Sequence, residues 1–220
     1  MLFAASHYSV SESSTPHFPS EVVKGSLCLS SMASDSPIDS VLSRIVQALQ
    51  DAGVPYMLTG SFASSLHGSP RVTHDVDIVI APTLGSLQKL LGHFPEDAYY
   101  VSRDAALQAY GSEGMFNVVD FETGWKVDFI VRKSRAFSLR EFERRHSAMI
   151  ESTNVVVASA EDVIIAKLEW AKLGESERQL RDVASILSIR GSDLDVAYID
   201  TWVEQLGIAD QWSKAKSLLA

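Results

Sequence analysis

Three aspartates carry the chemistry that can be read from this chain. Gly60-Ser61 is followed, after thirteen intervening residues, by Asp75-Val76-Asp77. The run from Val76 to Ile80 reads as a strand. On a strand residues i and i+2 share a face, so Asp75 and Asp77 aim at one place. Carboxylates paired in this way repel unless they are protonated or neutralised by a cation. Hard oxygen donors suit Mg2+, which takes one or two carboxylates together with phosphate oxygens. Gly60 lets backbone approach a phosphate closely, and Ser61 offers an N–H and a hydroxyl at an expected helix start, a natural anion site. Asp128 is the third candidate ligand, an acid in the apolar strand Trp125 to Val131, where a lone charge is costly. Three such acids can hold two cations roughly 3.5–4 Å apart, which activate a hydroxyl and stabilise a leaving pyrophosphate.

The elements that must position these residues follow from periodicity. Pro37 suits a first helical position, and Ser36 with Asp39 has capping-box spacing. Ile38, Val41, Leu42, Ile45, Val46 and Leu49 recur at three and four, giving an amphipathic helix that Gly53 ends. A short strand over 56–59 runs into a short helix that His67 is expected to cap. After the Asp75–Asp77 strand, a helix is expected over 83–91. A hairpin then joins 115–121 to 125–131 around Thr123-Gly124. On its second strand Lys126, Asp128 and Ile130 share one face, and Val127, Phe129 and Val131 the other. Asp120, on the opposing strand, stays outside the triad.

From Ser159 the pattern is helical. Ser159 and Asp162 repeat the capping-box spacing, and further helices are expected over 177–189, 195–206 and 209–219. Trp170, Trp202 and Trp212 fall on amphipathic helices and are expected in the core. The fold class is α+β, a mixed sheet flanked by helices and followed by a helical C-terminal region. The expected divisions are a disordered extension over 1–35, a catalytic domain over 36–158 and the helical region over 159–220. The segment 1–31 holds nine serines and little apolar patterning, and Met32 is an alternative start.

Composition bounds the function. A net charge of −9 over 220 residues argues against broad, nonspecific coating of nucleic acid. One basic strip interrupts it: Arg132, Lys133, Arg135, Arg140, Arg144 and Arg145 face only Glu141 and Glu143. It reads either as a solvated helix face or as a phosphate-facing surface. No apolar run approaches the ~20 residues of a membrane span. The single cysteine, Cys28, fits a reducing cytoplasm. The chain has no G-x-G-x-x-G, G-K-[ST], C-x-x-C or H-E-x-x-H motif.

Gly60, Ser61, Asp75, Val76, Asp77 and Ile78 resemble the signature of the nucleotidyltransferase superfamily related to polymerase β. A closer likeness is to bacterial AbiEii-toxin-type proteins. It runs through Leu66-His67-Gly68, Arg71, Thr73, the Gly124-Trp125-Lys126-Val127-Asp128 strand, Glu161-Asp162 to Lys167, and Arg181-Asp182. The resemblance covers about residues 36–215. It implies the nucleotidyltransferase fold and metal-dependent transfer of a nucleoside monophosphate from an NTP to an acceptor hydroxyl. It further implies that Asp75, Asp77 and Asp128 bind Mg2+ or Mn2+, with Asp128 helping to deprotonate the acceptor. Gly60, Ser61, Arg71, Thr73 and Lys167 would serve the nucleotide. The acceptor is RNA, protein or a small molecule, and a toxin-like chain would have an antitoxin-type protein partner. The competing expectation is a non-catalytic, antitoxin-like binding module that keeps the fold and acts through an interface.

Overall fold

The structure, a computed structural model, describes residues 37–70, 73 and 75–219. The expectations for the N-terminal extension, for Met32 and for the Ser36 cap lie outside these residues. The described residues form one compact unit.

Helix α1 (Pro37–Asp51) buries Val41, Leu42, Ile45, Val46 and Leu49, and Gly53 closes it at φ +65°. Positive φ there costs glycine nothing, which is why the chain turns at that residue. Asp39 accepts hydrogen bonds from the hydroxyls of Ser152 and Thr153, so it clasps a distant turn as well as opening its helix.

A short approach leads into β1 (Tyr56–Thr59), α2 (Gly60–His67), β2 (Asp75–Ile80) and α3 (Leu84–Gly92). Thr83 and Ser86 form a reciprocal capping box at the start of α3. Next come β3 (Tyr99–Val101), α4 (Arg103–Ser112), β4 (Met115–Asp120) and β5 (Lys126–Val131). Then α5 (Ala136–Glu143) leads to a second hairpin, β6 (His146–Ile150) and β7 (Thr153–Val157). The C-terminal helices are α6 (Ala160–Gly174), α7 (Glu177–Arg190), α8 (Val196–Leu206) and α9 (Ala209–Ser217). Strand β3, helices α4 and α5 and the β6–β7 hairpin were not among the sequence expectations; the strands are short and weakly alternating.

The seven strands form one mixed sheet in the order β3-β4-β5-β2-β1-β7-β6. The β2–β5 and β1–β7 pairs are parallel, and the others are antiparallel. All four residues of β1 are buried, as expected for a central strand covered on both faces. Along β2 burial grades from exposed Asp75 to buried Ile80, which leaves its N-terminal end open. Phe129, fully buried, lies against Phe94 and Phe116, with ring centroids 6.0 and 5.3 Å away.

The C-terminal helices share that core. Ile164, Leu168, Val183, Ile186, Ile199, Val203 and Trp212 join the same cluster as the sheet residues. Ser159 caps α6 as its spacing predicts, accepting from the Asp162 N–H at 3.2 Å. Trp202 packs against Phe137 and Trp212 is buried, but Trp170 is 59% exposed. Helical period alone misplaced Trp170, since it lies beyond the stripe of α6 that the other helices cover.

Candidate active site

The site forms where β1 ends, α2 begins and the N-terminal halves of β2 and β5 lie side by side. Register places Asp77 opposite Thr59 on one side and Asp128 on the other. One step back, Asp75 stands opposite Lys126. Parallel pairing with no offset therefore brings the three sequence-predicted acids together, although fifty residues separate Asp77 from Asp128.

Gly60 is required at two levels. Its φ of +62° lies in the left-handed region, and a Cβ there would overlap the Asp77 carboxylate. The Ser61 N–H donates to Asp77 Oδ2 at 3.4 Å, so the start of α2 already holds one anion. Burial raises the pKa of Asp77 above the usual carboxylate value. The Ser61 N–H opposes that rise, nearby Asp128 and Asp75 reinforce it, and Lys167 counters it. The carboxyl is thus poised for a partner of higher positive charge.

Asp128 is buried, and its two oxygens are treated unequally. Oδ2 meets Lys126 Nζ at 2.9 Å, whereas the buried Oδ1 has no hydrogen-bond partner. Lys126 also reaches Asp75 Oδ1 at 3.4 Å. Its pKa is held above the ordinary lysine value, chiefly by the hydrogen bond to Asp128. Lys126 is the site residue that sequence reasoning missed, although its i, i+2 relation to Asp128 was a usable signal.

Among the described residues, no group of three or more His, Cys, Asp or Glu side chains is gathered closely enough to hold a metal ion. The reason is local: Asp75 and Asp128 are turned onto Lys126, and Asp77 onto Ser61. The donor set nevertheless fits a hard divalent cation. It consists of carboxylates on adjacent strands, one of which has a buried oxygen lacking a donor.

The other expected residues are placed less uniformly. Thr73 Oγ1 lies 3.3 Å from both the N and the O of Asp75, clasping the start of β2. Lys167 is buried on α6, and its ammonium donates to Asp182 Oδ2 at 2.7 Å and Gln179 Oε1 at 2.9 Å. Arg71 lies outside the described residues. Asp120 pairs with Arg44 at 2.5 Å and accepts from Thr123, which makes it the anchor of the β4–β5 turn.

His67 does not serve as a helix cap. Its Nε2 lies 2.8 Å from the Ala158 carbonyl, which can only accept, and its Nδ1 lies 3.1 Å from Arg190 Nη2. The ring is therefore neutral with the proton on Nε2, pinning α2 to the end of β7 and to α7. Burial is the main cause that pulls its pKa down to about 4.

The basic strip is largely consumed internally. Arg135 forms a two-pronged pair with Glu169, both contacts at 2.6 Å. Arg144 pairs with Asp162 and Glu161, each at 3.0 Å, and lies over the Tyr198 ring. Arg132 and Arg145 both lie over the Phe142 ring. Most of these cations fasten α5 and its flanks to neighbouring groups.

A mixed sheet that brings two strand-borne acids beside a Gly-Ser helix start defines this as a nucleotidyltransferase-fold protein. The chain is similar to the crystal structure of ANT(2'')-Ia in complex with adenylyl-2''-tobramycin. That match has 14% identity, covers 80% of this chain and 97% of that one, and has a TM-score of 0.52. An antigenic nucleotidyltransferase-like protein from Paracoccidioides brasiliensis matches at 19% identity over 80% of this chain and 91% of that one, TM-score 0.49. The lincosamide antibiotic adenylyltransferase LnuA, lincomycin-bound, matches at 13% identity over 69% and 97%, TM-score 0.47. The fold assignment rests on the first of these. No protein-family model matches the chain, and no curated protein matches its sequence.

Proposed function

We propose that the chain is a metal-dependent nucleotidyltransferase that moves a nucleoside monophosphate from an NTP to an acceptor hydroxyl. The observation that carries this reading is the in-register Asp77–Asp128 pair beside Gly60-Ser61, with Asp128 Oδ1 buried and unpartnered. Asp75, Asp77 and Asp128 would hold Mg2+ or Mn2+. A bound divalent cation supplies neutralisation of the carboxylates and of the charge that develops on the phosphoryl oxygens.

The chain's own residues do the rest. Gly60, Ser61 and the start of α2 receive the β- or γ-phosphate once the Asp77 carboxylate, which accepts from the Ser61 N–H, gives up that donor. Thr73, Arg71 and Lys167 would also serve the nucleotide. Asp128 accepts the proton of the acceptor hydroxyl. The acceptor oxygen bonds to the α-phosphorus, the bond from that phosphorus to the β-phosphate oxygen breaks, and pyrophosphate leaves.

AbiEii-type kinship, with an RNA or protein acceptor, a cytoplasmic setting and an antitoxin-type partner, is supported by the Leu66-His67-Gly68 and Lys167 segments. A small-molecule acceptor is supported by the likeness to ANT(2'')-Ia. Among the described residues no helix is long and apolar enough to cross a membrane.

The test is incubation of the protein with each α-labelled NTP, Mg2+ or Mn2+, total RNA and lysate, beside Asp75→Ala/Asp77→Ala. Label that enters RNA, a protein band or a small-molecule fraction, and vanishes in the variant, establishes the reaction and the acceptor class. No label in any fraction with folded protein favours the binding module.

A further inference from the structure

We propose that Lys126 is a resident counter-ion of the carboxylate site, occupying Asp75 and Asp128 until a divalent cation displaces it. The proposal rests on the nucleotidyltransferase reading and adds a residue that sets how tightly the site takes its cation. β5 puts Lys126 and Asp128 on one face, and the β2–β5 register then builds a four-cornered group of three acids and one base. The ammonium sits between two of those acids, 2.9 Å from Asp128 Oδ2 and 3.4 Å from Asp75 Oδ1.

Three features suit it to be exchanged rather than fixed. Its side chain is 37% exposed, so the four-carbon stem can swing into solvent without opening the core. A lysine ammonium is a compact point charge with rotatable donors, and it has no forked geometry to hold it in place. It also satisfies Asp128 incompletely, because Oδ1 is buried without a donor. A doubly charged ion with several oxygen ligands answers both oxygens, as one ammonium does not. Ammonium and divalent cation compete for the same oxygens, so the affinity of the metal is lowered by the strength of the ion pair it must break.

The experiment is a Mn2+ titration of the full chain followed by electron paramagnetic resonance. It compares wild type with Lys126→Met, Lys126→Gln, Lys126→Arg and Asp77→Asn, each checked by circular dichroism. Lys126→Met and Lys126→Gln are expected to bind Mn2+ about three- to fivefold more tightly, the upper scale of a partly exposed ion pair. Lys126→Arg is expected to stay within about twofold of wild type, since it keeps the competing charge. Without metal, the thermal midpoint of Lys126→Met should fall, and Mn2+ should restore it. Equal Mn2+ affinity in wild type and in both neutral variants, with binding still lost in Asp77→Asn, overturns the counter-ion role and leaves the site standing. No Mn2+ uptake by any of the proteins overturns both.

Discussion

Asp77 and Asp128 stand opposite each other across the parallel β2–β5 pair, and a Cβ at Gly60 would overlap the first of them. Two carboxylates in adjacent register are destabilising unless something compensates. Asp77→Asn should therefore leave the metal-free protein as stable as before or slightly more so, whereas Asp128→Asn, which also weakens the Lys126 ion pair, should be slightly less stable. Nucleotidyl transfer should fall by about 100-fold or more, the scale at which preorganised electrostatic groups act. Thermal melts paired with label transfer check this. A large loss of stability in either variant would assign the aspartate to structure.

Gly60→Ala should damage the site from the backbone side. The φ of +62° and the overlap with Asp77 both work against any side chain. A cost of about 1–3 kcal/mol in denaturant unfolding is expected from backbone strain. Transfer activity should drop further than Gly53→Ala, where a Cβ meets nothing within 4 Å.

Lys167 and Asp182 form a contact at 2.7 Å with side chains 4% and 13% exposed. Lys167→Met should cost about 3 kcal/mol, because it removes the ammonium from a buried carboxylate. Lys167→Met/Asp182→Leu should recover most of that loss in urea titrations. Recovery of stability without recovery of NTP affinity would separate a structural role from a nucleotide-binding one.

His67 gives the fold a defined acid limit. Its pKa falls from the usual 6.5 to about 4 in the folded chain, so between those values the unfolded state binds more protons. Stability from this group is complete above pH 6.5 and is lost as pH falls toward 4, by roughly 3 kcal/mol in all. His67→Gln should be less stable at pH 7.5 and lose less between pH 6.5 and 4. Chemical denaturation at a series of pH values measures both slopes, and parallel slopes would contradict the assignment.

Much of this was open to reading along the chain. The alternation in Asp75–Ile80 placed two acids on one face, and the apolar run around Asp128 marked it as an acid that needs a partner. Helical spacing located α1, α3 and the C-terminal helices to within a few residues. The β6–β7 hairpin and β3 escaped because short edge-side strands carry few alternations. Lys126 escaped as well, since a lysine beside an acid on a strand means little until its neighbour across the sheet is known.

The order of residues determined the local facts: which side chains share a strand face, where a helix is capped, and where only glycine can turn. Tertiary structure alone decided which faces meet. Pairing β2 with β5 in parallel, without a slip, aligned Asp77 with Asp128 and Asp75 with Lys126. A slip of one residue would have turned Asp128 and Lys126 to the opposite face. Packing likewise turned the basic strip inward onto Glu169, Asp162 and Phe142, sent His67 to Ala158 and left Trp170 outside. Those outcomes depend on contacts between residues far apart in the chain, whose energies act only once the sheet has formed, and no local pattern encodes them.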